Sequence, residues 1–452
     1  MRRPDSTERR RRAPGLAQRC GTLLDEDAPV GFRAYDGSVA DRDASVGVIE
    51  IRAPRALRYL ATAPGELGLA RAYVMGDIEV HGDLHATLHA LVKHRRGEIP
   101  WWELVRGVRR WMLRRPPIPP EEAPAPLLRG MARHSRARDA RAVSHHYDVS
   151  NRFYELVLGP SMAYSCAVFR SPSATLEEAQ REKFDLICRK LDLKRGERLL
   201  DVGAGWGGLV RHAAEHYGVR ALGVTLSREQ ADWAQRAILE AGLHRRASVC
   251  YRDYRDVSED GFDAVSSVGA MEHVGSTELG SHFQAMAARL RPEGRMLNHT
   301  ITRCSNRERQ RTGPFIDRYV FPDGELQGLG TVIGAMHDHG LEVRHEENLR
   351  EHYAMTLREW GANLERHWHR AVAEVGERRA RVWRLYMTIS RAGFELNRIQ
   401  IHQVLGVRLA RDGSSGMGLR PTWERPGRTV SPAALGAEGT GVLVRDTVGG
   451  QA

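Results

Sequence analysis

Seven apolar runs recur between residues 198 and 409, with helically spaced stretches between several of them. Leu199, Leu200 and Val202 form a short apolar run between Arg198 and Gly203, the pattern of a buried parallel strand. Arg220 to Leu226, Ala247 to Tyr254, Phe262 to Gly269, Gly294 to Thr302, Leu341 to Leu349 and Ile399 to Leu409 read as six more strands. Leu209 to Tyr217 starts a helix. Ser227 to Leu243 is a second, with Ser227 as its N-cap. Glu351 to about Arg378 is a third, long one. The alternation predicts an α/β fold with a doubly wound, mostly parallel sheet of seven strands. Its site is expected at the carboxyl ends of the strands.

The rest of the chain divides by composition. Residues 1–18 hold Arg2, Arg3 and Arg9 to Arg12 with two prolines, and read as a disordered basic tail. Residues 19–95 read as a small α+β domain. Val46 to Ile51 alternates like a strand, and the stretch from Gly65 is helical up to Tyr73, with Gly76 as a stop. Residues 96–138 combine an amphipathic helix with a linker. Trp101, Leu104, Val105, Val108, Trp111 and Met112 share one helical face, flanked by Arg106, Arg109, Arg110, Arg114 and Arg115. That wheel fits a helix lying in a lipid interface, and equally one packed on a neighbouring domain. Pro116 to Pro126 reads as a stiff, exposed linker at a domain boundary. Residues 139–410 form the catalytic domain. Its first part, to Leu193, is expected to cover the site as a lid. Cys304 to Gly330 is expected to be a loop shaping the substrate pocket. Residues 411–452 lack periodicity and read as a disordered tail.

The candidate chemistry starts at the first strand end. Gly203-Ala-Gly205-Trp-Gly207 follows the strand and opens a helix, so backbone N–H groups can meet a nucleotide-like ligand. Missing side chains at Gly203 and Gly205 permit close approach. After the second strand, where many nucleotide-binding folds carry a carboxylate, this chain has Thr225. That argues against a hydride-transferring dinucleotide enzyme. Arg252 and Asp253 close the third strand, at the place where an adenine is gripped.

Charge and cysteines narrow the setting. The formal net charge is +11, almost all from arginine. A solvated basic surface or an anionic membrane surface accounts for it, and no nucleic-acid-binding motif accompanies it. The five cysteines have no paired spacing, which argues against disulfides and zinc and for a reducing cytoplasm. No metal ligand set is expected. No apolar run approaches the roughly 20 residues of a membrane span. The N-terminal arginines precede no apolar segment and are not read as a secretory signal.

Several motifs occur together and in order. They are His145-His-Tyr-Asp-Val-Ser-Asn151, Tyr164-Ser-Cys-Ala167, the glycine turn, Val224-Thr-Leu-Ser-x-x-Gln230, Glu272-His-Val-Gly275, His299-Thr-Ile301 and His352-Tyr353. With them, the segment from about His145 to Leu409 resembles the cyclopropane-fatty-acyl-phospholipid synthases and the mycolic acid cyclopropane synthases. These are class I methyltransferases that use S-adenosylmethionine. The Gly-Leu-x-x-x-Tyr-x-x-Gly pattern near residue 68 is similar to the N-terminal module of the phospholipid-type enzymes. The resemblance implies cofactor contacts at Tyr164, Ser165, Asp201, Gly203, Gly205, Trp206, Gly207, Thr225, Leu226, Ser227, Gln230, Arg252 and Asp253. It also implies a bound bicarbonate ion as base, at Cys166, Glu272, His299, Ile301 and Tyr353. Ser390 stands where some members carry a cysteine.

The implied reaction is attack of a cis double bond on the sulfonium methyl, followed by loss of a proton from the new methyl and ring closure. A site for the carbocation needs aromatic faces and no free water. The implied partners are unsaturated phospholipid acyl chains, met at the inner face of a membrane by a cytoplasmic, peripheral protein. Loss of a different proton would leave a methylene or methyl branch, and an idle fold would leave a lipid-surface binding protein. Those outcomes stay open in the sequence, as does a homodimer.

Overall fold

The computed structural model describes residues 14–40, 46–94, 96, 116–122, 150–307, 313–322 and 324–423. Residues Met1–Gly416 form one unit. Met417–Ala452 form a second, whose described part has neither helix nor strand.

The first unit begins with α1 (Leu16–Gly21), β1 (Val30–Ala34), β2 (Val39–Ala40), β3 (Gly47–Ile51), α2 (Arg55–Thr62), α3 (Glu66–Val74), β4 (Ile78–Gly82) and α4 (Leu84–Lys93). The strands form a sheet in the order β2-β1-β3-β4, with β1 parallel to β3 and the other pairs antiparallel. Leu16, Phe32, Ile51 and Tyr59 belong to its own core. Gly76, at φ +74°, makes the predicted stop after α3.

Two expectations change here. The disorder expected over residues 1–18 does not hold for the end of that stretch: Leu16 and Ala17 are buried in α1, and the Leu16 N–H donates to Asp36 at 2.9 Å. The proline linker is not simply exposed. Tyr59 Oη donates to the Pro117 carbonyl at 2.7 Å, and Arg71 makes a two-pronged ion pair with buried Glu122 at 2.8 and 2.7 Å. A charge pair shielded from water fastens that segment where composition alone suggested solvent. The amphipathic stretch 100–115 lies outside the described residues.

The remainder runs α5 (Asn151–Leu158), α6 (Leu176–Lys190), β5 (Arg198–Val202), α7 (Gly208–His212), β6 (Arg220–Thr225), α8 (Arg228–Glu240), β7 (Ala247–Tyr251), β8 (Phe262–Val268), α9 (Leu279–Arg289) and β9 (Leu290–Arg303). It continues with α10 (Pro314–Tyr319), β10 (Gln327–Gly328), α11 (Leu329–Asp338), β11 (Glu342–Asn348), α12 (Arg350–Arg366), α13 (Trp368–Val375), α14 (Glu377–Glu395) and β12 (Ile399–Val407). The main sheet has the order β11-β12-β9-β8-β5-β6-β7. It is parallel from β7 to β9, and β12 pairs antiparallel with β9 and with β11. This is the class I methyltransferase fold, with a separate N-terminal domain. From β5 the chain winds out to β6 and β7, then returns to β8 on the other side. The strand order reverses at β5, which opens a crevice at its carboxyl end.

Local differences from the expected elements have physical causes. The two-residue β10 adds an eighth strand alongside β9. The predicted long helix ends at Arg366, and α13 and α14 meet at Gly376, whose φ of +80° breaks the helical path. The expected loop 304–330 contains α10, which starts with Pro314 in its first turn, a position that suits proline's fixed φ and missing N–H. In the tail expected from 411, the Ala410 N–H donates to the Ser414 carbonyl at 2.8 Å and Ser414 Oγ donates to Glu293 at 2.5 Å, which extends the ordered unit to Gly416.

Candidate functional site

A pocket lies at the carboxyl ends of β5, β6, β7 and β8, enclosing about 1250 Å³ outside protein atoms with its open mouth included. Gly203, Gly205 and Gly207 all have positive φ, at +76°, +55° and +71°. A Cβ on Gly203 would come within 2.6 Å of the Ala270 Cβ, so that glycine lets the β5 and β8 ends close on each other. A Cβ on Gly205 would meet nothing within 4 Å. It would project into open space, as a cradle for a ligand requires. These residues fit S-adenosylmethionine.

Most of the sequence-predicted cofactor residues line this pocket. Gly203, Gly205 and Trp206 come from the turn, Thr225, Leu226 and Gln230 from the β6 end, and Arg252 from the β7 end. Tyr164 and Ser165 come from the segment ahead of β5, and Asp201 from β5 itself. Thr225 Oγ1 donates to Gln230 Oε1 at 2.7 Å, which orients the glutamine's amide group. Three other residues serve the scaffold and are not among the lining. Ser227 Oγ accepts from the Gln230 N–H at 3.2 Å and caps α8. Asp253 accepts from the Arg255 N–H at 2.9 Å and pairs with the Arg255 guanidinium. Gly207 is pressed between Ala234 and Val249.

The pocket floor includes a residue that the sequence reading missed. Lys183 is 1% exposed, lines the pocket and donates to Ser165 Oγ at 2.7 Å. Burial pushes its ammonium down to about 7, while neighbouring Asp201 acts the other way. Asp201 is also buried. Burial pushes its carboxyl up to about 7, opposed by the Ser266 hydroxyl, which donates at 2.7 Å, and by Lys183. One sign was available: Lys183 occupies a buried stripe of α6 together with Ala179, Leu186 and Ile187.

Strand pairing and hydrogen bonds link the elements that carry the five residues of the expected anion site. His299 and Ile301 lie two apart on β9 and so share a face of the sheet. Glu272 reaches that strand from the β8 end: its Oε1 accepts the Ile301 N–H at 2.7 Å. Opposite Ile301 stands Ile401 of β12, whose carbonyl accepts from the Leu349 N–H. Leu349 starts the turn into α12, which carries Tyr353, and its carbonyl accepts from Cys166 Sγ at 3.7 Å. The Ile301 N–H is therefore already taken, and its influence passes through Glu272. Burial pushes the Cys166 thiol up, so it stays protonated. Burial also raises the Glu272 carboxyl, against the pull of the Ile301 N–H, and holds His299 neutral. Two polar atoms are shielded from solvent with no hydrogen-bond partner, Glu272 Oε2 and His299 Nε2. A neutral imidazole N–H together with a carboxyl oxygen fits a small oxyanion such as bicarbonate.

Aromatic rings connect the two regions. Tyr164 of the cofactor pocket lies 5.2 Å from Trp360, which lies 6.0 Å from Tyr353, and Tyr353 lies 4.6 Å from Phe394. Tyr154, Trp383 and Tyr386 belong to the same buried cluster. Tyr164 Oη donates to Tyr386 Oη at 3.2 Å. Of these rings, only Tyr164 and Tyr353 were singled out from sequence. Asn151, from the expected lid, accepts from Trp206 Nε1 at 2.8 Å and ties that segment to the glycine turn. Residues 145–149 of the same motif lie outside the described residues.

The family described as mycolic acid cyclopropane synthetase matches residues 134–404. A probable fatty acid methyltransferase of Mycobacterium tuberculosis is 50% identical over 406 residues, covering 88% of this chain and 95% of its own. The cyclopropane-fatty-acyl-phospholipid synthase of Escherichia coli is 35% identical over 273 residues, covering 59% of this chain and 69% of its own. A mycolic acid cyclopropane synthase solved in complex with SAH and CTAB matches with a TM-score of 0.56 at 33% identity, over 59% of this chain and 98% of its own.

Proposed function

This chain belongs to the mycolic acid cyclopropane synthetase family of S-adenosylmethionine-dependent methyltransferases, and from that premise we propose that it builds a cyclopropane ring on the cis double bond of unsaturated phospholipid acyl chains. The observation that carries the reading is the pair of unpartnered buried atoms, Glu272 Oε2 and His299 Nε2, on elements linked to those that carry a buried aromatic cluster, which reaches the cofactor pocket through Tyr164.

S-adenosylmethionine, when bound, supplies an electrophilic methyl group. Gly203, Gly205, Gln230 and Arg252 would hold it, with Tyr164 and Trp206 as walls. The rings of Tyr353, Trp360 and Phe394 present π-faces suited to a carbocation on the acyl chain, at aromatic spacings of 4.6 and 6.0 Å. Their burial keeps water from trapping that cation. Bicarbonate, when bound, supplies a base that is not a protein carboxylate and so leaves no ester on the chain. Glu272, His299, Cys166 and Tyr353 would hold it, with Glu272 fixed by the Ile301 N–H.

A second reading has specific support. The relative that is 50% identical is named a probable fatty acid methyltransferase, which fits the same methyl transfer ending in a methyl or methylene branch. The two readings are separated by incubation with isotope-labelled cofactor and unsaturated phospholipid vesicles, followed by proton NMR of the released fatty acids. Upfield ring protons support the cyclopropane product. Vinylidene or branched methyl signals support the second. Absence of any transfer, with no heat of cofactor binding in calorimetry, leaves a lipid-binding protein with an idle fold.

Among the described residues no helix is long and apolar enough to cross a membrane. Access to acyl chains from a membrane surface is part of the proposal, and the basic charge supports it.

A further inference from the structure

His299 has a neighbour that the reaction chemistry does not require but the geometry makes specific. Gln403 lies directly opposite it across the β9–β12 pair, and Gln403 Nε2 is 3.1 Å from His299 Nδ1. On its other side Gln403 Oε1 is 2.8 Å from Lys190 Nζ. Lys190 is fully buried and paired with Glu347.

These three contacts have one consistent assignment. Burial lowers the Lys190 ammonium and the Glu347 charge opposes it; paired with that carboxylate, Lys190 is an ammonium, which has donors only. The atom of Gln403 facing Lys190 is therefore the carbonyl oxygen, and the atom facing His299 is the amide nitrogen. An amide N–H only donates, so His299 Nδ1 must accept. A neutral imidazole has one bare nitrogen and one N–H, which leaves the proton on Nε2. His299 is 1% exposed, and its burial together with the charges of Lys183, Lys190 and His402 keeps it neutral. Nε2 is the same atom that has no partner in the site. The orientation of an amide and the tautomer of an imidazole, which are ordinarily ambiguous, are here set by a charge at the far end of the chain of contacts.

We propose that Gln403, held by Lys190, is a positioning residue that locks His299 in the Nε2–H tautomer, so that the site always offers an N–H donor to the anion held with Glu272. The inference rests on the functional reading above. Without the lock, the other tautomer would present a lone pair to a negatively charged ligand, a repulsive contact.

The test uses the full-length protein labelled with ¹⁵N-histidine. Long-range proton–nitrogen correlation distinguishes a bare from a protonated ring nitrogen, and the His299 signals are identified by their loss in His299→Gln. Wild type is expected to show bare Nδ1 and protonated Nε2. Gln403→Glu is close in size but has acceptors only. It is expected to pair with Lys190, accept a hydrogen bond from Nδ1–H and so invert the pattern. In the same variant kcat is expected to fall roughly 10–100-fold, the usual cost of losing an outer-shell orienting group. KM for S-adenosylmethionine should stay unchanged, and stimulation by added sodium bicarbonate should be lost. A proton on Nδ1 in wild type overturns the proposal, and so does a Gln403→Glu protein with full kcat and an undiminished bicarbonate response. The nitrogen spectrum of wild type decides the tautomer whether or not Gln403→Glu folds. It also does so whether or not the enzyme responds to bicarbonate, which separates failure of this inference from failure of the functional reading.

Discussion

Glu272 accepts the Ile301 N–H at 2.7 Å through Oε1, while its Oε2 is shielded from water with no partner. One oxygen fixes the carboxyl group and the other remains available. Glu272→Ala is therefore expected to lower turnover by roughly 10²–10⁴-fold, the range for loss of an oriented acid–base group. Cofactor affinity should change little, because Glu272 is not among the residues lining the cofactor pocket. Turnover should also fall in degassed, bicarbonate-free buffer and recover on adding it back. Full activity of the variant would remove Glu272 from the chemistry. Affinity lost in step with turnover would move it into the cofactor site.

Gly205→Val is expected to abolish cofactor binding while the protein stays folded. The backbone at φ +55° costs a non-glycine residue about 1–2 kcal/mol. The isopropyl group would enter the open space where the ligand belongs. Calorimetric titration with S-adenosylmethionine checks this, with circular dichroism as the folding control. Normal binding would contradict the cradle.

Glu122→Ala should loosen the N-terminal sheet. The Glu122 side chain is 2% exposed and the Arg71 side chain 12%, so removing the carboxylate strands a buried guanidinium. Breaking such a pair costs about 3 kcal/mol. Hydrogen exchange should accelerate first around α2 and α3, with the glycine turn protected as before. Unchanged exchange would mean that the proline segment contributes nothing to that domain.

His282 gives a pH dependence of defined sign. Burial, aided by the Arg255 charge, pushes it down to about 4 from the usual 6.5, and neither ring nitrogen has a hydrogen-bond partner. Below pH 6.5 the unfolded chain takes up a proton that the folded ring refuses until about pH 4. The stability contribution is thus complete above 6.5 and lost as the pH falls to 4, by about 3 kcal/mol at most. His282→Leu should flatten the slope of unfolding free energy against pH in that window, as measured by denaturant titration. An unchanged slope would assign acid sensitivity to other groups.

Anionic vesicles should co-sediment more of the protein than zwitterionic ones, given the net charge of +11 and the Trp101/Trp111 face with its arginines. Added salt should weaken this, since exposed charges are screened over about 8 Å at physiological ionic strength. Equal binding to both vesicle types at low salt would count against a basic, interfacial approach.

The central strands and the glycine turn were legible in the sequence for local reasons. A parallel strand covered on both faces must be mostly apolar, as Leu199, Leu200 and Val202 are around Asp201. A turn that needs three positive φ angles within five residues calls for glycine at 203, 205 and 207. The place of the pocket at the strand ends followed from the winding of the sheet. Other features needed the tertiary structure. His299 and Gln403 are 104 residues apart and meet only because β12 runs antiparallel to β9 in one particular register. Trp360 and Phe394 belong to none of the sequence motifs, and only the packing of α12 and α14 sets their rings beside Tyr353. Lys183 and Lys190 look like two charges on an amphipathic helix until α6 is laid against the sheet and both lose their water. Pattern along a chain records what each residue needs from its immediate backbone and from the choice between core and solvent. Which buried polar groups face each other is decided by strand register and helix packing, and those are properties of the whole fold.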